Sequence, residues 1–256
     1  MRATGPIILA MLLPLAPSSG TRAPAATAGQ TAIVLAGHAQ KLHLYGPPDG
    51  TPVIVSSGDG GWMHLAPHMA EALAVHGYFV IGFDAKAYLA AGTTASTTLT
   101  PADIERDYGT LLGTFASARR AVLAGVSEGA GLSVMAAAAA ANKPHVAGVV
   151  AVSLGDRNEL GWRWKDSIIY VTKGVPNEPL FSATALMPLV TPIPLAIIRA
   201  THDEFVPRLE SDRLIAAAAS PSHAWTVTAS DHRFSDNEAG FDATMAAAFA
   251  WISDAR

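Results

Sequence analysis

The chain has 256 residues and is 50% hydrophobic, which is enough for one large domain with an extensive core. Its net charge is -4 and lysine and arginine form no cluster, which argues against a nucleic-acid partner because neutralising phosphates requires a concentrated basic surface. The absence of cysteine excludes a disulfide framework and a cysteine-linked lipid anchor.

The N-terminus has the pattern of a secretory signal. Arg2 precedes an apolar run at residues 7–15, and candidate cleavage tripeptides of small residues follow within residues 23–28. The apolar run is too short to span a bilayer as a permanent anchor. We therefore predict a signal peptide at 1–28 and a mature domain at 29–256, soluble in the periplasm or secreted once the signal is removed. The alternative is an uncleaved segment that lies at the membrane interface.

Short apolar runs alternate with helical stretches along the predicted mature chain. Strands are predicted at 31–35, 41–45, 52–57, 78–83, 122–124, 146–154, 194–199 and 224–227. Helices are predicted at 65–76, 101–115, 132–141, 209–219 and 238–251. Residues 155–191 are predicted as an irregular excursion over one end of the sheet. This alternation predicts an α/β fold, with a mostly parallel central sheet and helices on both faces.

The most informative motif is Gly-x-Ser-x-Gly at residues 125–129. It follows the predicted strand at 122–124 and precedes the predicted helix at 132–141. A sharp strand-to-helix turn of this kind lifts a serine hydroxyl clear of the sheet, where a base can activate it. The motif therefore predicts Ser127 as a nucleophile. The alternative is a glycine-rich loop in which Ser127 is an ordinary helix cap.

A candidate acid and a candidate base follow two later strands. Asp203 comes after the strand at 194–199, and His232 comes after the strand at 224–227. The chain order Ser127, Asp203, His232 is that of α/β-hydrolases, in which the histidine takes the serine proton and the acid orients the histidine. Asp156 is the alternative acid. Two neighbouring acids, Asp231 and Glu204, are interpreted as solvated loop charges.

Hydrolysis also requires backbone N–H groups that stabilise the oxyanion. The glycine-rich loop at residues 57–62 follows the first buried strand, which is where this fold takes one donor; the other is the residue after the nucleophile. We assign the two oxyanion-stabilising donors to the backbone N–H groups of Asp59 and Glu128. The N–H group of Gly60 is the alternative to that of Asp59. A flexible turn or a phosphate-binding loop is the other interpretation, but the Lys-Ser/Thr ending of a phosphate-binding loop is missing.

The remaining histidines give no strong signal for a metal. His64 and His68 are spaced to lie on one helix face, but no third ligand accompanies them. His202 is predicted to form hydrogen bonds within its loop. We predict neither a metal nor a cofactor.

The chain from about residue 33 to residue 252 resembles the VirJ/AcvB family of exported α/β-hydrolases. The matching stretches are residues 57–62, Asp84 with Tyr88, residues 125–130, residues 153–155 and residues 232–234. The resemblance implies hydrolysis of lysyl-phosphatidylglycerol in the periplasm, at the ester that joins the aminoacyl group to the lipid headgroup.

These observations together predict an exported serine hydrolase that acts on an ester. Asp59, Asp84 and Glu128 are candidates to attract a cationic aminoacyl group, and the apolar stretch at residues 162–189 is a candidate for peripheral membrane contact. The alternatives are a general carboxylesterase or lipase, and a catalytically silent binding protein linked to the export of a virulence factor.

Overall fold

An eight-stranded sheet forms the centre of the computed structural model, which describes residues 27–116, 119–165 and 178–255. The strands of this sheet are β1 (Thr27–Leu35), β2 (His38–Tyr45), β3 (Pro52–Ser56), β4 (Phe79–Phe83), β5 (Ala121–Val126), β6 (Val146–Val152), β9 (Leu195–Ala200) and β10 (Ser222–Val227). Their order across the sheet is β1-β2-β4-β3-β5-β6-β9-β10. Strands β1 and β2 pair antiparallel, as do β2 and β4, and all the other pairs are parallel.

Seven α-helices accompany the sheet within the described residues. They are α1 (Leu65–Val75), α2 (Ala85–Ala91), α3 (Pro101–Phe115), α4 (Glu128–Ala138), α5 (Ala183–Leu186), α6 (Arg208–Ala217) and α7 (Glu238–Asp254). Side chains of α1 and α7 pack in one core, and those of α2, α3, α4 and α6 pack in a second. Because successive side chains of a strand point to opposite faces, Leu123 joins the second core while Val122 and Ala124 join the first. The predicted α/β fold with helices on both faces is confirmed.

The segment at 155–191 is more regular than predicted in its described part. Strands β7 (Arg157–Glu159) and β8 (Leu180–Ser182) form a small antiparallel sheet, and α5 follows directly. Helix α2 was also not predicted, although Asp84 caps its start by accepting a hydrogen bond from the backbone of Ala87. These elements are short, and short elements carry little hydrophobic periodicity.

The predicted signal peptide lies almost entirely outside the described residues, which begin at Thr27. It therefore stays a prediction, as does the boundary of the mature domain. Among the helices of the described residues, none is long and apolar enough to cross a membrane.

The turn at residues 125–129, here called the elbow, joins β5 to α4 in the middle of the sheet. Its Ser127 has φ 52° and ψ -116°, a conformation that L-residues rarely adopt and that costs backbone strain. A Cβ on Gly125 would lie 2.1 Å from the carbonyl oxygen of Gly129, and a Cβ on Gly129 would lie 2.3 Å from the carbonyl oxygen of Ser57. The elbow thus requires glycine on both sides of the serine.

We expect Gly129→Ala to lower the free energy of unfolding by about 3 kcal/mol, the upper end of overpacking costs, because the backbone around it has no room to move. Gly113→Ala is the matched control: Gly113 is exposed on α3 and a Cβ there meets nothing within 4 Å. It should raise stability by about 0.5–1 kcal/mol through better helix propensity. Urea unfolding measures both changes in the free energy of unfolding. A Gly129→Ala variant as stable as the wild type would contradict the tight packing of the elbow.

Candidate active site

The carboxyl ends of the parallel strands meet at one edge of the sheet, and a cavity of about 350 Å³ opens there. Ser127 lies at the end of β5 and lines this cavity together with His232. The other walls come from residues 58–61 and 63–66, which follow β3, and from Phe205 and Arg233. The structure therefore brings the predicted nucleophile and the predicted base to the same cavity, although they lie far apart in the chain.

Asp203 and His232 are in direct hydrogen-bond contact at this edge. The Nδ1 atom of His232 lies 2.7 Å from Oδ2 of Asp203 and 2.9 Å from Oδ1. Oδ1 of Asp203 also accepts backbone hydrogen bonds from Phe205 and Val206, each 2.9 Å long. The side chains of Asp203 and His232 are only 6% and 10% exposed. An ionised Asp203 selects the tautomer with the proton on Nδ1, which makes Nε2 the nitrogen that can accept a proton from a hydroxyl.

The main chain of His232 is held from two sides. Its N–H donates to Oε2 of Glu204 at 2.9 Å, and its carbonyl oxygen accepts a hydrogen bond of 2.9 Å from Oγ of Ser153. Ser153 lies at the end of β6 with a positive φ of 50°. Glu204 and Asp231, interpreted as solvated loop charges, lie in loops and Glu204 is exposed, but both carboxylates also accept backbone hydrogen bonds. Glu204 supports His232, and Oδ1 of Asp231 accepts the backbone N–H of Arg233 at 2.8 Å, which shapes the turn.

Asp156, the alternative acid, is engaged elsewhere. Its Oδ1 accepts hydrogen bonds from Oγ of Ser182 at 2.7 Å and from the backbone of Thr184 at 2.8 Å. These contacts fasten the residues after β6 to the start of α5. The structure places Asp203, and not Asp156, against His232.

Of the two predicted oxyanion donors, Asp59 lines the cavity and Glu128 directly follows Ser127, which also lines it. Asp59 and Gly60 both line it, in a turn that is closed by a hydrogen bond of 3.0 Å from the N–H of Gly61 to the carbonyl oxygen of Gly58. Glu128 is the first residue of α4, where backbone N–H groups have no partner within the helix. Within residues 27–116, 119–165 and 178–255, the N–H groups of Asp59, Gly60 and Glu128 donate to no protein acceptor. They are available to an oxyanion on the substrate.

The Glu128 side chain does not take the position expected of a group that attracts a cationic substrate. It is 7% exposed, and its Oε1 accepts a hydrogen bond of 2.8 Å from the backbone N–H of Glu159. Burial raises the pKa of Glu128 well above its usual value, and the neighbouring carboxylates of Glu159 and Asp59 raise it further. The raised pKa of Glu128 favours the uncharged form of its carboxyl group, which does not attract a cationic substrate.

Asp84 does not line the cavity either. Besides capping α2, it accepts a hydrogen bond of 3.1 Å from the backbone of Trp62 through Oδ2. Of the three carboxylates expected to attract a cation, only Asp59 lines the cavity. The expectation for Glu128 and Asp84 was wrong because backbone N–H groups of other segments, those of Glu159 and Trp62, donate to the two side chains.

The histidines at 64 and 68 do not face one another as ligands. Nε2 of His68 lies 2.7 Å from Oδ1 of Asp242 on α7, and His64 precedes α1 with φ 56°. Within the described ranges, no three or more potential metal ligands lie close enough to hold a metal ion. His202 is exposed, and its backbone N–H donates to the carbonyl oxygen of Ala229 at 3.0 Å.

The sequence of residues 50–161 matches the family described as bacterial virulence protein VirJ. The predicted resemblance to VirJ is confirmed. The matched segment contains the loop after β3, the elbow and β6, whereas Asp203 and His232 lie beyond it. No curated protein matches the chain.

Solved α/β-hydrolase structures share the fold. The esterase domain of a Rhodothermus marinus protein is 16% identical, with a TM-score of 0.60 and coverage of 87% of this chain and 96% of the other. An alpha-beta serine hydrolase homologue from Coxiella burnetii is 17% identical, with a TM-score of 0.61 and coverage of 86% and 96%. A membrane phospholipase A described as a bacterial virulence factor is 10% identical, with a TM-score of 0.58 and coverage of 86% of each chain. At these identities the likeness shows the fold alone.

Glu128→Gln should change how stability depends on pH. Its amide oxygen can still accept the Glu159 N–H, but the ionisable group is gone. In the wild type, the raised pKa means that folding favours the protonated carboxyl. The resulting contribution of Glu128 to the free energy of unfolding is fully present below the ordinary carboxyl pKa of about 4.3. It is lost as the pH rises through the folded-state pKa. We expect Glu128→Gln to melt above the wild type at neutral and alkaline pH, with a smaller difference in acid.

Thermal unfolding followed by circular dichroism across pH measures this difference. Glu71→Gln is the control, since Glu71 is exposed on α1 and its substitution should leave the pH profile unchanged. If the difference in melting temperature between Glu128→Gln and the wild type does not vary with pH, the raised pKa of the buried Glu128 carboxyl group is refuted.

Proposed function

We propose that the protein is a serine hydrolase that cleaves a carboxylic ester through Ser127, His232 and Asp203. The observation that carries the proposal is the bond of 2.7 Å between His232 Nδ1 and Asp203, at the wall of the cavity that Ser127 also lines. Asp203 fixes the tautomer, so that Nε2 of His232 is the nitrogen that serves Ser127. Phe205 packs edge-on against the His232 ring, with centroids 5.3 Å apart, and limits its rotation.

In the first half of the reaction, Oγ of Ser127 attacks the ester carbonyl as Nε2 of His232 takes its proton. The carbonyl oxygen becomes negative and accepts hydrogen bonds from the N–H groups of Asp59 and Glu128. When the tetrahedral intermediate collapses, the protonated His232 gives its proton to the leaving alcohol, and the acyl group stays on Ser127. Asp203 remains ionised and stabilises the imidazolium.

In the second half, water replaces the alcohol. His232 takes a proton from the water, which attacks the acyl carbonyl, and the same N–H groups stabilise the second oxyanion. Collapse releases the carboxylic acid and returns the proton to Ser127, so the enzyme is regenerated.

The proposed substrate is the aminoacyl ester of lysyl-phosphatidylglycerol. Three observations support it. The resemblance to VirJ implies this activity, Asp59 supplies a carboxylate in the cavity for a cationic aminoacyl group, and the exposed Met63 and Phe205 give an apolar wall. The predicted signal peptide would deliver the protein to the periplasm, where a peripheral contact brings it to the lipid. The same apolar wall would also suit a general carboxylesterase or lipase.

Ser127→Ala tests the nucleophile. We expect ester turnover to fall by about 10⁴-fold or more, with the fold intact, because Ser127 carries the one hydroxyl group among the described residues that line the cavity. A fluorophosphonate probe should label the wild type at residue 127 and leave the variant unlabelled. If the wild type is not labelled yet binds lipid or protein specifically, the catalytically silent alternative is correct.

Asp203→Asn tests the acid. We expect kcat to fall by about 10⁴-fold, because an amide favours the wrong tautomer of His232. Asp156→Asn is the matched control, since its hydrogen bonds go to Ser182 and Thr184, and it should keep wild-type turnover within a few-fold. The reverse ranking of the two variants would make Asp156 the acid.

A direct comparison of substrates tests specificity. Purified protein is given lysyl-phosphatidylglycerol, unmodified phosphatidylglycerol and p-nitrophenyl butyrate. We expect the highest kcat/KM for the aminoacyl lipid, with release of free lysine, and no change in the unmodified lipid. A higher kcat/KM for p-nitrophenyl butyrate would identify a general esterase.

A further inference from the structure

A tyrosine hydroxyl in the core behind the active site contacts the strand that leads to one of the oxyanion donors. Tyr108 on α3 is fully buried, and its hydroxyl lies 2.7 Å from Oγ of Ser56, the last residue of β3. Asp59, the assigned donor in the loop after β3, follows Ser56 by three residues. Ser56 is also fully buried, so this hydrogen bond is shielded from water.

The same hydroxyl also faces α4, the helix that begins with the second donor, Glu128. Oγ of Ser133 on α4 donates a hydrogen bond of 2.7 Å to the carbonyl oxygen of Gly129. Burial raises the pKa of the Tyr108 hydroxyl, and hydrogen bonds with Ser56 and Ser133 oppose this rise. The link from β3 to α4 therefore consists, in order, of Ser56, Tyr108, Ser133 and the carbonyl group of Gly129.

The hydrogen bonds of this link have one possible direction. The carbonyl oxygen of Gly129 only accepts, so the single hydroxyl proton of Ser133 points to it. Tyr108 must then donate its own proton to Ser133, and Ser56 donates to Tyr108. Each of these bonds polarises the next one, so the loss of the tyrosine hydroxyl weakens the whole link.

Tyr108 has no direct access to a bound substrate. The described residues that line the catalytic cavity include none of Tyr108, Ser56 and Ser133, and all three are buried. Any effect of Tyr108 on catalysis must therefore pass through the backbone of β3 and α4. These two elements meet where Gly129 lies against the carbonyl oxygens of Ser56 and Ser57, a contact with no spare room.

We propose that Tyr108 is a positioning residue that sets the separation of the two oxyanion donors. The proposal rests on the proposed function, because it takes the N–H groups of Asp59 and Glu128 as those donors. One donor follows β3 and the other begins α4, so a hydroxyl that ties β3 to α4 fixes the distance between them. Donors that are held in place stabilise the oxyanion of the transition state more than the neutral carbonyl of the bound ester.

Tyr108→Phe removes the hydroxyl and keeps the ring, which packs edge-on against Phe83 with centroids 5.7 Å apart. We expect kcat for p-nitrophenyl butyrate to fall about tenfold, or about 1.4 kcal/mol, with KM changed by less than about twofold. Both halves of the reaction form an oxyanion at the same donors. Acylation and deacylation therefore slow together, and KM stays nearly constant. A merely structural role would reduce the amount of folded enzyme and leave kcat per active site unchanged.

Tyr88→Phe is the matched control. Tyr88 is also fully buried, and its hydroxyl donates a hydrogen bond of 2.9 Å to Oδ2 of Asp107, which connects α2 to α3 and involves neither β3 nor α4. This variant should lose stability but keep the wild-type kcat. For both variants, kcat is measured below the melting transition and divided by the number of sites that a fluorophosphonate labels. Equal kcat values in Tyr108→Phe and Tyr88→Phe would overturn the proposal.

A trifluoromethyl ketone gives a second measurement. Oγ of Ser127 adds to its carbonyl carbon, the serine proton passes to His232, and the carbonyl oxygen becomes an oxyanion at the donors. We expect its inhibition constant to rise about tenfold in Tyr108→Phe. The inhibition constant of the corresponding alcohol, which forms no oxyanion, should stay unchanged. Equal shifts for the two ligands would assign Tyr108 to substrate binding and contradict the proposal.

Ser56→Ala breaks the same link at its other end and tests it independently if Tyr108→Phe does not fold. It should reproduce the fall in kcat, and the double variant should be no slower than the slower single variant, because the link is already broken. If ester turnover survives Ser127→Ala, the proposed function is wrong. If turnover depends on Ser127 but neither Tyr108→Phe nor Ser56→Ala lowers kcat, the positioning role is wrong and the hydrolase stands.

Discussion

The contact between the first turn of α4 and the end of β3 is the constraint on which the site depends. The backbone of Gly129 lies so close to the carbonyl oxygens of Ser56 and Ser57 that no side chain fits between them. Gly125, at the end of β5, lies equally close to the backbone of Gly129 and Ala130. With α4 held this tightly, Ser127 takes a positive φ, and the N–H of Glu128 comes to the same edge as the loop after β3. One steric requirement thus sets the nucleophile and the oxyanion donors together.

The rest of the site follows from the parallel sheet. Because the carboxyl ends of β5, β6, β9 and β10 share one edge, the residues that follow them converge although they are distant in the chain. Asp203 follows β9 and His232 follows β10, and Ser153 at the end of β6 holds the main chain of His232. Each neighbouring strand thus contributes one group to the position of a single imidazole, and a position fixed by several rigid elements suits proton transfer.

Much of this arrangement can be predicted from the sequence, because it depends on signals that are local. The long apolar strands, the flanking glycines of Ser127 and the chain order of the serine, aspartate and histidine all appear as residue patterns. The directions in which the side chains point do not appear as residue patterns. Glu128 and Asp84 appear as acids next to the motifs, yet both turn toward backbone N–H groups of distant segments. Likewise, the contact of Glu204 with the His232 backbone depends on how two loops meet, and no residue spacing encodes that meeting.

The central claim is that Ser127, His232 and two backbone N–H groups act on one acyl carbon. A crystal structure of the protein after reaction with a fluorophosphonate tests it most directly, because the tetrahedral phosphonate mimics the intermediate. The account predicts phosphorus bonded to Oγ of Ser127, its oxygen within hydrogen-bond distance of the N–H groups of Asp59 and Glu128, and Nε2 of His232 facing the adduct. An adduct on another residue, or His232 turned away from the adduct with its bond to Asp203 broken, would contradict it.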